Sequence, residues 1–192
     1  ETIFFPGDNK KKLYLIKKGA VRLSRIYENG DEITVALLKE KSLFGVSSLL
    51  PMGKSDSFYH AIAFTHVEIE TAPASSVKNA IEIDPTVGML LLQALSERIL
   101  QSSTMIETLK NKDTYSRLIS FLLVLSKDFG VPSSKGITID LKITQAAIAE
   151  AIGSTRVTVT RLFVELKNSG LLASDRKKIT IIDPTALAKR LN

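Results

Sequence analysis

Two arginines, Arg156 and Arg161, stand near the start of a helical stretch in TQAAIAEAIGSTRVTVTRLFVEL, residues 144–166. Around them are hydroxyls and small branched residues, Ser154, Thr155, Val157 and Thr158, with no Glu or Lys among them. These types share one chemistry. A guanidinium pairs in bidentate fashion with guanine O6 and N7, hydroxyls reach phosphate oxygens, and a valine meets a thymine methyl. An acidic side chain in that position would repel phosphate. The group therefore reads as the base-contacting face of a helix lying in a DNA major groove.

Such a face must be held rigidly, and the same stretch supplies the means. Thr144 can cap a first helix that Gln145 opens, with Ala147, Ile148, Ala151 and Ile152 as its apolar stripe. Gly153 suits the left-handed backbone that ends a helix. Ser154 is expected to cap the second helix, whose buried face would be Val159, Leu162, Phe163 and Leu166. The outer face is then Thr155, Arg156, Thr158 and Arg161. This is the logic of a helix-turn-helix. A purely structural helical hairpin is the competing reading. After Gly170, LLAS and ITII form an expected hairpin with Asp175-Arg176-Lys177-Lys178 at its tip, a basic wing that favours the DNA reading. Lys177 and Lys178 would lie on the sugar-phosphate backbone.

Charge agrees with this placement. The chain has a formal net charge of +6. Residues 154–192 carry eight Lys/Arg against three Asp/Glu, so nearly all of the basic excess sits in the last fifth of the sequence. Cysteine is absent, which excludes a disulfide framework and a thiolate metal site or nucleophile. No apolar run reaches membrane-spanning length, and a cytoplasmic location is expected. His60 and His66 lack metal-ligand spacing with carboxylates and are expected on strands.

Upstream, residues 1–73 read as β structure. LYLIKKGAVRLSRIY, a turn at Asn29-Gly30, ITVALL and FYHAIAFTHVEIETA give several short strands, as in a sandwich, roll or barrel. The opening ETIFFPGD reads as the interior of a β domain, with Ile3–Phe5 a strand, so upstream residues are expected. From Asp84-Pro85 the pattern becomes a long helix. Leu92, Leu95, Ile99, Ser102, Ile106 and Leu109 recur at alternating spacings of three and four, a coiled-coil seam with one hydroxyl in it. So long a face predicts a homodimer. TYSRLISFLLVLSKDFG then predicts a helix ended by Gly130 and Pro132. GITIDLKI predicts a strand with Ile137, Ile139 and Leu141 on one face, and a short basic tail closes the chain.

PGD after the first strand, KKGAVRL, FG in KSLFGVSSLL, the long helix and TQAAIAEAIGSTRVTVTRL together resemble the cyclic-AMP receptor protein/FNR family of dimeric bacterial transcription regulators. The resemblance spans the whole chain. IFFPGD, NGDEITVALL, SDSFYHA, MIETL, SFLLVL, DFGVP, GITIDLK and AIAEAIGSTRVTVTRL are most similar to its nitrogen-control branch from cyanobacteria and plastids. It implies an α+β fold: a cyclic-nucleotide-binding-type β-roll over 1–83, a long dimerisation helix over 84–112, and a winged helix-turn-helix over 113–192. It implies an activator that binds a GTA…TAC palindrome through Arg156, Val157 and Arg161, works with RNA polymerase, responds to 2-oxoglutarate and needs no other cofactor. The setting would be a cytoplasm or plastid stroma. An alternative within the family is another small anionic effector, or constitutive DNA binding.

The resemblance also locates an effector pocket. Relatives that bind cyclic nucleotides carry a Glu soon after the FG turn and an Arg-Ser pair. Here Val46 follows Phe44-Gly45, and Asp56-Ser57 stand near the pair's position, which disfavours a cyclic phosphate. The backbone N–H groups of Gly45, Val46 and Ser47 suit a carboxylate instead. The nitrogen-control branch has one arginine before the Phe-Tyr-His run, one on the long helix and a glutamate five positions later. This chain keeps the helical one as Arg98 but has Ser57 and Ser103 at the other two positions, with Lys54 nearby in sequence. Two other functional classes fare worse. A cupin-like enzyme needs clustered His and carboxylate ligands on its strands, and a kinase-type regulatory module would lack the helix-turn-helix.

Overall fold

The computed structural model describes residues 1–8, 11–50, 59–175 and 178–191. The chain forms two compact units, Glu1–Ser103 and Thr104–Asn192.

Among the described residues the first unit holds seven strands: β1 (Thr2–Phe4), β2 (Lys12–Lys18), β3 (Val21–Ile26), β4 (Glu32–Leu38), β5 (Leu43–Phe44), β6 (His60–Ala63) and β7 (Glu68–Pro73). They make two antiparallel sheets, ordered β1-β6-β3-β4 and β5-β2-β7. Between the sheets lie Phe4, Tyr14, Ile16, Val21, Leu23, Ala36, Leu38, Phe44 and Ala61. Period-two alternation explains the division of β2: Tyr14 and Ile16 enter this core, while Leu13 turns the other way and packs with Leu49, Ala74 and Leu91. Phe4, Tyr14 and Phe44 associate at ring distances of 5.4, 6.0 and 4.9 Å, pairs each worth about 0.5–1.5 kcal/mol beyond their burial. Gly30 takes φ 86° in the β3–β4 turn, where the Asn-Gly signal places it.

Helix α1 (Ala74–Ile83) follows β7. The sequence pattern does not announce it, because its ten residues carry a thin apolar stripe and only Ala74 is buried. The first strand ends at Phe4, leaving Phe5 exposed. His66 lies in the turn between β6 and β7 and not on a strand; the tight approach of its carbonyl to Gly19 is part of that turn.

The long helix α2 runs Thr86–Lys110. The division between the units falls inside it, since Leu91 packs with the β-roll and the last turns, with Met105 and Thr108 buried, belong to the second unit. That unit continues with α3 (Thr114–Phe129), β8 (Gly130–Ser133), β9 (Gly136–Ile139), α4 (Gln145–Ala151), α5 (Arg156–Asn168), β10 (Leu172–Asp175), β11 (Lys178–Ile181) and α6 (Pro184–Ala188). Its sheet is ordered β10-β11-β9-β8, all antiparallel. Pro132 is tolerated because β8 is an edge strand. The segment expected only to end α3 thus becomes a strand, and Leu141 lies beyond β9, although buried. The expected basic tail is also a helix: Asp183 caps it through the Thr185 and Ala186 N–H groups, Pro184 opens it, and Leu187 is buried. Leu118, Ile119, Phe121, Leu122 and Leu125 of α3 form the centre of this unit's core with Ile148, Val159, Phe163 and Leu166.

Candidate nucleic-acid interface

Thr144 has extended backbone, and its hydroxyl accepts from the Ala147 N–H at 3.1 Å, capping α4 as expected. Ile148, Ala149 and Ala151 bury this helix. Its end is closed by the Ser154 N–H donating to the Ala149 carbonyl at 2.8 Å, with Gly153 at φ 62°.

That closure corrects one expectation. Ser154 belongs to the turn and does not cap the second helix. Thr155 does, one residue later, its hydroxyl accepting from the Thr158 N–H at 3.2 Å and meeting the Thr158 hydroxyl at 2.9 Å. Thr155 and Thr158 are thereby tied to each other, and Thr158 is half-buried.

Beyond the cap, α5 buries Val159, Leu162, Phe163 and Leu166, and its first turns expose Arg156, Val157, Thr160, Arg161 and Val164. These recur at i, i+1, i+4, i+5 and i+8, a stripe with two guanidiniums in its N-terminal half, and the exposed Glu165 follows only toward the C-terminal end. Val157 is 80% exposed, an apolar side chain with nothing to cover it among the described residues, as a thymine-methyl contact requires. Thr160 is a residue that sequence reasoning missed. It lies four residues after Arg156, which was signal enough, and its hydroxyl donates to the Gln145 Oε1 at 2.6 Å. Gln145 is thus oriented by α5, leaving its amide N–H₂ for a phosphate oxygen.

The wing is the β10–β11 hairpin, closed by the pair Asp175 and Lys178. Lys178 is exposed and lies 3.6 Å from Asp140 Oδ1, a surface pair that competes weakly with phosphate. Lys177 lies outside the described residues, as do Lys54, Asp56 and Ser57.

The first unit contains the expected effector residues. Phe44 gives its ring to the roll's core, being 1% exposed, so its side chain is not available to a ligand. Gly45 at φ 79° starts a 3-10 turn over Val46–Leu49, which puts the Val46 and Ser47 amides at the turn's N-terminal end. A Cβ at Gly45 would come within 2.7 Å of the Lys12 carbonyl, so glycine is required there. Arg98 of α2 donates from Nη2 to the Leu43 carbonyl at 3.0 Å, two residues from Gly45. Its buried Nε has no hydrogen-bond partner among the described residues. Burial lowers its pKa to about 10, against an opposing contribution from Tyr59. A desolvated cation with an unused donor is thus held beside the FG turn. On α2, Leu92, Leu95, Ile99 and Ile106 are 57, 42, 67 and 69% exposed, while Ser102 and Leu109 are half-buried.

Comparison with known proteins agrees with both halves. Residues 116–190 match the Crp-like helix-turn-helix domain and residues 1–84 the cyclic nucleotide-binding domain. The chain is 57% identical over 190 residues to the global nitrogen regulator of Nostoc sp. (strain PCC 7120), covering 99% of this chain and 85% of that protein. It is 56% identical over 192 residues to the global nitrogen regulator of Synechococcus elongatus, covering 100% and 86%. A solved transcriptional regulator of the CRP/FNR family from Thermus thermophilus superposes with a TM-score of 0.71 at 28% identity, covering 100% of this chain and 94% of that one. With that fold, this arginine-bearing stripe on α5 and these relatives, the chain belongs to the cyclic-AMP receptor protein/FNR family of DNA-binding transcription regulators.

Proposed function

We propose that the chain is a homodimeric activator of nitrogen-assimilation genes that binds a GTA…TAC-type palindrome, responds to 2-oxoglutarate and acts with RNA polymerase. The observation that carries this reading is the double character of α2. One side shows an apolar seam to solvent, with Leu92, Ile99 and Ile106 spaced one heptad apart. Another side holds Arg98 beside the FG turn with a donor unused. Large exposed leucines and isoleucines in one column are costly in a lone soluble helix and call for a second copy. A half-buried guanidinium with a buried Nε and no acidic partner among the described residues calls for an anion. The similarity to global nitrogen regulators supports nitrogen as the signal, and 2-oxoglutarate, a dicarboxylate, is the anion we assign to the site.

The dimer also supplies the geometry of the operator. Two recognition helices related by a two-fold axis read half-sites about 34 Å apart, one turn of DNA. The test is a gel-shift titration on a GTA…TAC palindrome and on a scrambled duplex, with and without 2-oxoglutarate, beside sedimentation of the free protein. A dimer that prefers the palindrome, and prefers it more with 2-oxoglutarate, is expected. A monomer, or a dimer indifferent to both sequence and effector, overturns the reading.

A further inference from the structure

Arg117 lies on α3, away from the stripe on α5, and all five of its N–H donors have acceptors. Nε donates to the Ile152 carbonyl at 3.0 Å. Nη1 donates to the Asn111 carbonyl at 3.2 Å and the Lys112 carbonyl at 3.1 Å. Nη2 donates to the Thr114 hydroxyl at 3.1 Å and, more weakly, to the Gly153 carbonyl at 3.5 Å. Four of the five acceptors are backbone carbonyls, and they come from two places. Ile152 and Gly153 end α4 and form the turn of the helix-turn-helix. Asn111 and Lys112 follow the last residue of α2.

Both places are helix C-termini, where carbonyls are left without intrahelical partners and the helix dipole is negative. A planar cation with five donors in a fixed fork can serve two such ends together, whereas an ammonium, a point charge with three donors, cannot span them. Asn111 adds to the junction. Its side-chain amide donates to the Thr108 carbonyl at 3.2 Å and to the Ser120 hydroxyl at 2.9 Å. The Asp113 carboxylate caps α3 through the Ser116 N–H at 2.8 Å.

We propose that Arg117 is the positioning residue for DNA reading: its guanidinium ties the end of the long helix to the turn preceding the recognition helix, so the direction in which α5 presents Arg156 and Arg161 is set by where α2 ends. The proposal deepens the helix-turn-helix reading and rests on it. Arg117 spends its donors on acceptors within the chain. It fixes the carbonyls from which α5 departs, and a displacement of the α2 terminus must either carry the turn with it or break these bonds. The bridging bonds, and not the positive charge, are the device.

The test uses Arg117→Lys, Arg117→Gln and, as a one-sided control, Thr114→Val, which removes one acceptor but leaves the bridge. Two readouts are needed. The first is binding to a duplex selected from a random pool by the wild-type protein, against a scrambled duplex. Arg117→Lys and Arg117→Gln are expected to lose about tenfold or more of that preference while retaining binding to the scrambled duplex, and Thr114→Val to stay within about twofold of wild type. The second is amide hydrogen exchange without DNA. In the Lys and Gln variants the amides of Gly153–Arg156 and of Asn111–Lys112 should exchange at least about tenfold faster, together, with the β9–β11 sheet unchanged. Failure of the wild-type protein to select any duplex would sink the DNA reading, and the exchange result would still judge the bridge. Full preference in Arg117→Lys, faster exchange at only one of the two ends, or a parallel loss on both duplexes with uniformly faster exchange, overturns the proposal.

Discussion

Arg156 is exposed at the first position of α5, just beyond the Thr155 cap, where a side chain enters a major groove first. Replacing it with alanine should cost about 1–3 kcal/mol of operator affinity and relax preference at one base pair, because a bidentate guanine contact is lost and a phosphate contact is not. Gel shifts on single-base operator variants check this, and an equal loss on every sequence would reassign Arg156 to the backbone. A second residue with a measurable consequence is Glu32 in the β-roll. Burial raises its pKa, but this is outweighed by the Ser24 hydrogen bond, the Arg22 charge and the His60 contact at 3.0 Å, so the net shift is downward. A carboxylate lowered in the folded state stabilises the fold above its unfolded pKa. That contribution is lost as pH falls through the lower, folded value. Urea midpoints measured from pH 7 down into the acid range should therefore fall more steeply for wild type than for Glu32→Gln, and parallel curves would remove Glu32 from the account. The arginines of α5 were legible in the sequence because their chemistry is carried by type and spacing alone. Arg117 was not, since its five acceptors are nearly all backbone carbonyls brought together by folding.

Among the elements, legibility followed the strength of the local signal. The Asn-Gly hairpin, the long helix and the helix pair came from patterns that physical chemistry makes nearly unambiguous. Helix α1 and strand β8 did not, because a thin apolar stripe and a Gly-Val-Pro-Ser edge strand take their form from the neighbours that pack or pair with them. The cap of α5 is a closer case. Ser154 and Thr155 are both good caps by type, and the start of α5 at Arg156 selects Thr155, a one-residue choice that type alone does not make. Thr155→Ala should thus cost about 1 kcal/mol of stability, and Ser154→Ala clearly less; thermal unfolding of the two variants decides, and the reverse order would move the helix start. On α2, glutamate at Ile99 or Ile106 should dissociate the dimer and abolish palindrome binding in the same titration, since a charge in an apolar seam is left unpaired. Sedimentation and gel shift on one preparation test the two losses together, and a monomer that keeps full operator affinity would refute the seam.

At the scale of the molecule, a regulator works only if effector and DNA each favour the same arrangement of the chain. The effector can shift that balance by no more than its difference in affinity for the two arrangements, and DNA must raise effector affinity by the same factor. A dicarboxylate brings two anions. Arg98, half-buried and with its Nε unused, is one cation on hand for them, and the Val46 amide at the start of the 3-10 turn is a second donor beside it. Serine at positions 57 and 103 removes a charge-assisted contact and an acid that the nitrogen-control resemblance places there. The expected outcome is weak binding of 2-oxoglutarate by the wild-type chain. Arginine at position 57 (Ser57→Arg) should restore one guanidinium contact and tighten binding about tenfold or more, the factor that corresponds to about 1.4 kcal/mol. Arg98→Ala should remove binding and, with it, the dependence of operator affinity on 2-oxoglutarate. Calorimetric titration of the three proteins, each with and without operator duplex, reads both affinity and coupling. Tight binding by the wild type, unchanged in Ser57→Arg and in Arg98→Ala, would place the effector somewhere other than beside the FG turn.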